Sequence, residues 1–172
     1  IIWENRNFVK KLVFPLEILP VNPVLAALVG ELFALLVFLA LLLLARGGIP
    51  WTVAWLPVLL APQLMLTLAA CWTLSALGVY LRDLGQMIGF VLTVVFFLTP
   101  ICYPEASLPA SALPFLSKSP VFLLVREYRG ILLEARSPEP GPLLLLYLVS
   151  GLACLAAHAW FTRWKRSFAD VI

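Results

Sequence analysis

The apolar residues of this chain fall into four long runs, which polar residues and prolines separate. The hydrocarbon core of a bilayer is about 30 Å thick, and a helix rising about 1.5 Å per residue crosses it in roughly 20 residues. The runs are continuous rather than alternating, so they favour helices over the strands of a membrane β-barrel. We therefore predict membrane-spanning helices at residues 22–45, 51–79, 84–100 and 142–162.

The connection between the third and fourth runs is apolar but repeatedly interrupted by proline. It reads FFLTPICYPEASLPASALPFLSKSP, and such broken backbone is tolerated at membrane depth only where protein or a water-filled cavity shields it. We therefore expect residues 101–120 to dip into the bilayer and return as a re-entrant hairpin. A loop packed on the helices is the alternative. Residues 121–136 predict a short amphipathic helix along the membrane interface.

The composition agrees with this pattern. Of the 172 residues, 63% are hydrophobic and 12% are charged, whereas soluble domains are about half apolar and a quarter charged. We therefore predict an all-α, polytopic membrane protein with a single transmembrane domain. The net charge of +3 is too small and too scattered to indicate a nucleic-acid partner. Cys71, Cys102 and Cys154 lie far apart in apolar sequence, which indicates packing residues rather than a disulfide framework or a metal site.

Four crossings would place both ends of the chain on one side of the membrane. The short flanks on that side carry the larger share of the basic residues, namely Arg6, Lys10, Lys11, Arg82, Arg163, Lys165 and Arg166. Short basic flanks lie preferentially in the cytoplasm, so we predict that both ends of this chain are cytoplasmic. The chain begins without a methionine or a signal-peptide pattern, and we expect it to be the C-terminal part of a longer polypeptide.

Residues 1–21 mix charged and apolar side chains before the first span. Phe8, Leu12 and Val13 can share one face of a short helix, while Arg6 and Lys10 stay in water. Such a segment suits either the lipid headgroup surface or the grip of a partner protein. The residue pattern alone favours the lipid surface.

Few residues offer catalytic chemistry. His158 is the single histidine, and no serine–histidine–acid set, glycine-rich phosphate loop or recurring carboxylate pair occurs. We therefore predict no catalytic residue, no metal site and no cofactor in this chain, and we expect His158 to hydrogen-bond to a neighbouring helix. Glu31, inside the first span, either lines a pathway or locks two helices together. Gln63, Thr67 and Thr99 are expected to form hydrogen bonds between helices.

Arg82 and Asp83 lie side by side in the short turn between the second and third spans. An arginine after one helix and an aspartate before the next both suit the helix dipoles, by roughly 0.3–1 kcal/mol each. Asp83 can also accept hydrogen bonds from the first N–H groups of the third span. A structural role therefore explains both residues.

Five stretches of the chain resemble, in the same order, motifs of one family: NFVKKLVFPLEILPV, YLRDLGQM, FFLTPICYP, VREYRGILL and FTRWKRSFADVI. The family is that of the polysaccharide-exporting permeases of the ATP-binding-cassette class, which move lipid-linked O-antigen, capsule or teichoic acid chains. The resemblance covers almost the whole chain.

The resemblance implies a subunit with six spans in the bacterial inner membrane, of which this chain would hold the last four. It implies a homodimer bound to separate ATP-binding-cassette ATPase subunits, which would carry ATP and Mg. The other partners would be a lipid-linked glycan and membrane lipid. The family's segment before the third span is a coupling helix seated in the ATPase, and the contact candidates are Phe8, Lys10, Lys11, Phe14 and Glu17.

The resemblance also implies a substrate path. The family's re-entrant hairpins match the stretch from Pro100 to Pro120, and aromatic residues in that region ring the channel. The implied sugar-facing residues are Phe96, Phe97, Tyr103 and Phe115, with Glu31 as a further candidate; anchoring at the bilayer interface is the alternative role for the aromatic residues. Arg82 and Asp83 would form a cytoplasmic gate, where Arg82 either touches the pyrophosphate of the lipid carrier or only completes the turn.

One position departs from the family. Ser119-Pro120 stands where Asn-Pro is common, so a role of the asparagine amide does not transfer, although proline still suits the first position of a helix.

The function that follows is the transmembrane subunit of an ATP-driven exporter of lipid-linked polysaccharide, which is not itself an enzyme. The alternatives are an exporter of drugs or simple lipids of the same superfamily, a membrane-embedded enzyme of glycan assembly and a non-transporting scaffold. The motifs RDLGQ and FADVI favour the polysaccharide exporter. A glycan-assembly enzyme would need a cluster of acids or histidines at one membrane face, which this sequence lacks.

Overall fold

The described elements are all helical. A computed structural model describes residues 16–81, 83–101, 103 and 113–171, with the backbone alone at 113, 115 and 166–171. The longer elements are α1 (Val21–Arg46), α2 (Leu56–Tyr80), α3 (Leu84–Leu98), α4 (Leu113–Leu116), α5 (Pro120–Leu132) and α6 (Pro140–Val171). Short 3-10 helices at Leu16–Ile18 and Trp51–Trp55 precede α1 and α2. No strand occurs among these residues, which confirms the predicted all-α fold.

Three described segments are both long and apolar enough to cross a membrane: Leu16–Arg46, Trp51–Tyr80 and Pro140–Lys165. They correspond to the first, second and fourth predicted spans, and the chain is a multi-pass membrane protein. The third predicted span, residues 84–100, forms the shorter helix α3.

Helix α3 has 15 residues and is therefore about 22 Å long, less than the hydrocarbon thickness of a bilayer. It ends at Leu98 because Pro100 lacks a backbone N–H and disfavours the helical conformation at the residue before it. The predicted count of four spans therefore stays a prediction. The re-entrant hairpin also stays a prediction, since residues 102 and 104–112 lie outside the described part of the chain.

Glycine and proline lie at helix boundaries where the backbone needs the conformation that each of them favours. Gly47 follows α1 with a φ of 71°, and its N–H donates to the carbonyl of Leu43 at 2.8 Å. A left-handed residue of this kind closes a helix, and glycine adopts it without steric cost. Pro120 is the first residue of α5 after the extended Ser119, as the sequence predicts. Pro62 lies inside α2, where it removes one helical hydrogen bond.

The chain divides into two compact units, each built from separate stretches of sequence. Unit 1 comprises Ile1–Ile49, Leu64–Leu84 and Gly151–Ile172, and unit 2 comprises Pro50–Gln63 and Gly85–Ser150. Helices α2 and α6 contribute residues to both. That the chain forms a single transmembrane domain stays a prediction.

The core of unit 1 consists of Ala76, Val79 and Phe161, all buried, and we call it the unit 1 core. Leu16 and Trp72 pack against it. These residues bring the start of the described chain, the second half of α2 and the end of α6 into contact.

His158 lies beside the unit 1 core. Its ring meets Trp72 of α2 edge to face, with centroids 5.0 Å apart. His158 therefore does contact a neighbouring helix, as the sequence predicts. The contact is with an aromatic ring and not the predicted hydrogen bond. Cys71 and Cys154, also in unit 1, are partly buried free thiols.

Three aromatic side chains form an exposed ladder near the end of α6. The Tyr80 and Trp164 rings meet at 5.7 Å and the Trp160 and Trp164 rings at 5.5 Å. Tyrosine and tryptophan at the end of a span suit the headgroup level of a membrane, where one edge of the ring is apolar and the other is wet.

Helix α5 is the centre of unit 2. It buries Phe122, Leu123 and Ile131 and lies against the 3-10 helix Trp51–Trp55. Thr52 Oγ1, fully buried, donates to the carbonyl of Ile131 at 2.6 Å. Helix α5 lies within the region where the sequence predicts an amphipathic helix, residues 121–136, and part of its apolar face is covered by protein. Its place at the membrane interface stays a prediction.

Hydrogen bonds from side chains link further elements of unit 2. Tyr128 of α5 donates through its hydroxyl to Gln63 Oε1 of α2, and Tyr147 of α6 donates to the carbonyl of Val58 at 2.6 Å. Gln63 thus forms the interhelical bond predicted for it. Thr99 instead donates to the carbonyl of Val95 at 2.7 Å, four residues earlier, because a threonine hydroxyl at the end of a helix easily reaches the preceding turn.

Candidate functional site

Two phenylalanines and a tyrosine meet where α3 ends. The rings of Phe96 and Phe97 are 5.6 Å apart at an angle of 85°, and their exposed fractions are 44% and 69%. The hydroxyl of Tyr103 donates to the carbonyl of Phe97 at 2.7 Å. We call this group, Phe96, Phe97 and Tyr103, the aromatic turn.

Arg129 of α5 holds the aromatic turn in place. Its Nη1 atom donates to the carbonyl of Pro100 at 2.9 Å and to that of Tyr103 at 2.7 Å. Carbonyls just beyond a helix end have no hydrogen-bond partner within the helix, and a cationic donor supplies the bonds that they lack. Both carbonyls therefore bind α5, which is in turn anchored by Thr52 and by Tyr128.

A charged cluster follows at the C-terminal end of α5. Glu127 is 2% exposed, and this burial raises the pKa of its carboxyl, while the nearby Arg136 guanidinium opposes the rise. Arg136 Nη1 donates to Glu139 Oε1 at 2.6 Å. A Cβ atom at Gly130 would lie 3.3 Å from the Arg136 guanidinium, so glycine there allows arginine to lie against the helix.

The predicted coupling residues are only partly described. Phe8, Lys10, Lys11 and Phe14 lie outside the described residues. Glu17 belongs to the 3-10 helix before α1, and its carboxylate accepts a hydrogen bond from Lys165 Nζ of α6. Trp72 Nε1 of α2 donates to the main-chain oxygen of Glu17 at 3.2 Å. Glu17 thus has partners inside its own chain.

The predicted gate is described only at Asp83, since Arg82 lies outside the described residues. Asp83 is exposed and directly precedes α3, which is the position predicted for a residue that caps the helix. Its place in the sequence-predicted gate stays a prediction.

The predicted substrate-path residues are divided between the two units. Phe96, Phe97 and Tyr103 lie together in unit 2, and Glu31 lies partly buried on α1 in unit 1. Phe115 has a helical backbone in α4, and its side chain lies outside the described part. The structure therefore groups Phe96, Phe97 and Tyr103, and the place of Glu31 in the substrate path stays a prediction.

Sequence reasoning missed the residues that hold these groups. The sequence pattern marks Lys165 only as a basic residue of a short flank, places Arg129 only within the motif VREYRGILL, and does not single out Trp72. Arg129 follows its partner Tyr103 by 26 residues, and Lys165 follows Glu17 by 148. Arg129 shares its helix with Arg126 and Glu127, so no local pattern singles it out as the residue with an internal partner.

Metal chemistry has no candidate in the described part of the chain. No three histidine, cysteine, aspartate or glutamate side chains there lie close enough to hold an ion.

Comparison with known proteins places these observations in a family. Residues 1–133 match the family described as ABC-2 type transporter. The chain is 33% identical over 174 residues to a protein of Myxococcus xanthus named O-antigen export system permease protein RfbA. It is 22% identical over 171 residues to a protein of the same name from Klebsiella pneumoniae.

Both alignments cover nearly the whole chain. They include 99% and 98% of its residues but 66% and 65% of the relatives' lengths, so the chain spans just under two thirds of the proteins it matches. The family match alone covers residues 1–133, well over half of the chain. This chain belongs to the ABC-2 type transporter family.

Proposed function

We propose that this chain is part of the transmembrane subunit of an exporter that moves a lipid-linked polysaccharide across the bacterial inner membrane. The observation that carries the proposal is the 33% identity, over 99% of the chain, to a relative named as an O-antigen export permease. The apolar helices and the absence of a nucleotide-binding motif in the sequence support a subunit that forms the passage. ATP hydrolysis would take place on a separate ATP-binding-cassette ATPase, which would bind Mg and ATP.

The aromatic turn supports a glycan as the cargo. The hydroxyl of Tyr103 is engaged with the carbonyl of Phe97, so its ring, like those of Phe96 and Phe97, offers a mainly apolar face. Such faces attract the C–H faces of sugars with little dependence on hydroxyl stereochemistry. A passage needs binding that is weak and repeated, because a tightly held polymer would not advance.

The coupling and gating assignments are parts of the same proposal. Phe8, Lys10, Lys11 and Phe14 would contact the ATPase on the cytoplasmic side, and Glu17 would complete the coupling segment. Arg82 and Asp83 would flank the entry of the lipid headgroup. A second copy of the chain would complete the passage. ATP binding would close the ATPase dimer and displace the segment before α1, and the glycan would leave past the aromatic turn.

A reconstituted transport assay tests the proposal. The full-length permease, purified with its partner ATPase, would be placed in vesicles with a lipid-linked O-polysaccharide. We expect ATP-dependent movement of the glycan across the bilayer, and none with an ATPase that cannot hydrolyse ATP. A permease that binds no ATPase, or a complex that moves drugs or phospholipids but no glycan, contradicts the proposal.

Substitution of the aromatic turn tests the path. Phe97→Ala and Phe96→Ala should slow glycan movement while leaving ATPase binding unchanged. Phe90→Ala is the matched control, since Phe90 is 73% exposed on the same helix and lies outside the aromatic turn. Equal rates for all three variants would remove the aromatic turn from the path without touching the family assignment.

A further inference from the structure

The 3-10 turn before α1 is tied to the far end of the chain. Lys165 Nζ, near the end of the described side chains of α6, donates to the Glu17 carboxylate. The side chain of Glu17 is 20% exposed and that of Lys165 36% exposed. Water therefore screens this pair less than it screens a pair on an open surface.

Two further contacts hold the same turn. Trp72 Nε1 donates to the main-chain oxygen of Glu17 at 3.2 Å, and Leu16 packs against the unit 1 core. The turn is thus held by an ion pair, a hydrogen bond and apolar packing, from both α2 and α6. All of these residues belong to unit 1.

The position of the turn gives these contacts a mechanical consequence. It lies where the predicted coupling segment, residues 1–21, joins α1. A displacement of this segment that preserves the three contacts carries the adjoining parts of α2 and α6 with it. A displacement that breaks them leaves a carboxylate beside apolar residues without its cation, which is costly.

We propose that Glu17 and Lys165 form a latch that makes α2 and α6 follow the coupling segment, so that ATP hydrolysis on the partner is converted into movement of the glycan. The proposal rests on the proposed function and deepens it. Both are positioning residues, and Glu17 acts through Lys165 instead of through contact with the ATPase. Contact with the ATPase is left to other residues of the segment.

A charge-reversal cycle tests the latch. The variants are Glu17→Lys, Lys165→Glu and the double variant, each made in the full-length permease and reconstituted with its ATPase. Three quantities are measured: ATPase co-purification, the rate of ATP hydrolysis, and the amount of glycan moved per ATP hydrolysed. Coupling residues determine the amount of glycan moved per ATP hydrolysed. A simple loss of folded protein leaves this ratio unchanged.

We expect each single reversal to lower the glycan-to-ATP ratio by about fivefold, a size typical of coupling residues. ATPase co-purification should stay unchanged, and the double variant should restore the ratio to within about twofold of the wild type, since the opposite charges again face each other. Arg163→Glu is the matched control, because Arg163 is exposed on the same helix two residues before Lys165. It should leave the ratio unchanged.

Three results would overturn the latch: single reversals that leave the ratio intact, a double variant no better than the worse single one, or loss of ATPase co-purification in the Glu17 variant alone. The last result would make Glu17 an ATPase contact, as the sequence resemblance implies. Where a single reversal fails to fold, Glu17→Gln, Lys165→Met and their combination replace it: each single variant should lower the ratio, and the combination, which restores no ion pair, should lower it no further than the worse single variant. Losses that add in the combination would overturn the latch. Failure of the proposed function is distinguishable, because it appears in the wild-type complex before any variant is compared.

Discussion

Arg129 and Tyr103 are 26 residues apart in sequence, yet Nη1 of the arginine lies 2.7 Å from the main-chain oxygen of the tyrosine. The same nitrogen donates to the carbonyl of Pro100 at 2.9 Å. One guanidinium thus fixes both the end of α3 and the residue whose ring completes the aromatic turn. The geometry of the aromatic turn is therefore determined by α5, a helix outside the three long apolar segments.

Arg129→Ala should loosen the aromatic turn. It removes a charged donor from two carbonyls, a loss of about 1.5–3 kcal/mol, and amide hydrogen exchange at Thr99 and Ile101 should accelerate by about tenfold or more. Hydrogen exchange read by mass spectrometry on the detergent-purified protein measures this. Lys118→Ala, at an exposed position in the same connection, is the control, and equal exchange in both variants would contradict the role of Arg129.

Thr52→Val should destabilise unit 2. The substitution keeps the volume of a fully buried side chain but leaves the carbonyl of Ile131 without its donor, at a cost of about 1–2 kcal/mol in the free energy of unfolding. Denaturant titration in detergent provides the measurement. Thr93→Val is the matched control, since Thr93 Oγ1 is exposed and bonds the carbonyl of Gly89 one turn earlier. Equal losses in the two variants would contradict the buried bond.

Ala135→Gly should stabilise the turn after α5. Ala135 has a φ of 52°, a left-handed conformation that costs an L-residue about 1–2 kcal/mol, which glycine avoids at some entropic cost. The net gain in the free energy of unfolding should be about 0.5–1 kcal/mol. Gly47→Ala supplies the opposite test, because Gly47 has a φ of 71° and free space around its Cα. It should lower stability, and a loss in Ala135→Gly would overturn the argument.

Glu127 should make stability depend on pH in an unusual direction. Burial raises the pKa of this carboxyl above its ordinary value of 4.5 in the folded protein. The folded state therefore binds the proton more tightly than the unfolded state does. The contribution of Glu127 to the free energy of unfolding is therefore fully present below pH 4.5. It is lost as the pH rises through the pKa that Glu127 has in the folded protein.

Glu127→Gln tests this dependence, because the amide has no proton to lose in that range. The melting temperature of the wild type, followed from pH 4.5 upward, should fall relative to that of the variant. Glu134→Gln, with a side chain that is 56% exposed, should follow the wild type. A difference between wild type and Glu127→Gln that stays constant with pH would contradict the raised pKa.

The sequence alone determined the class of the protein. Its long apolar runs can be accommodated only in a bilayer. An uninterrupted apolar pattern there predicts helices, because lipid offers no hydrogen-bond partner for backbone N–H and C=O groups. For the same reason α1, α2 and α6 lie at the predicted first, second and fourth spans, although α2 begins at Leu56 and α6 continues to Val171, beyond the predicted end at residue 162. Proline marked the start of α5 and the end of α3, because its ring acts on its own residue and the one before, without any tertiary partner.

The tertiary structure alone decided which polar residues meet. Glu17 and Arg129 each bind groups far along the chain, and neither pairing follows from local spacing, because a helix relates only residues three or four positions apart. The sequence therefore predicted the aromatic residues of the turn but not the arginine that holds them. It likewise predicted Glu17 as a functional residue but not Lys165 as its partner. A residue's chemistry is local, whereas its partner depends on how the helices pack.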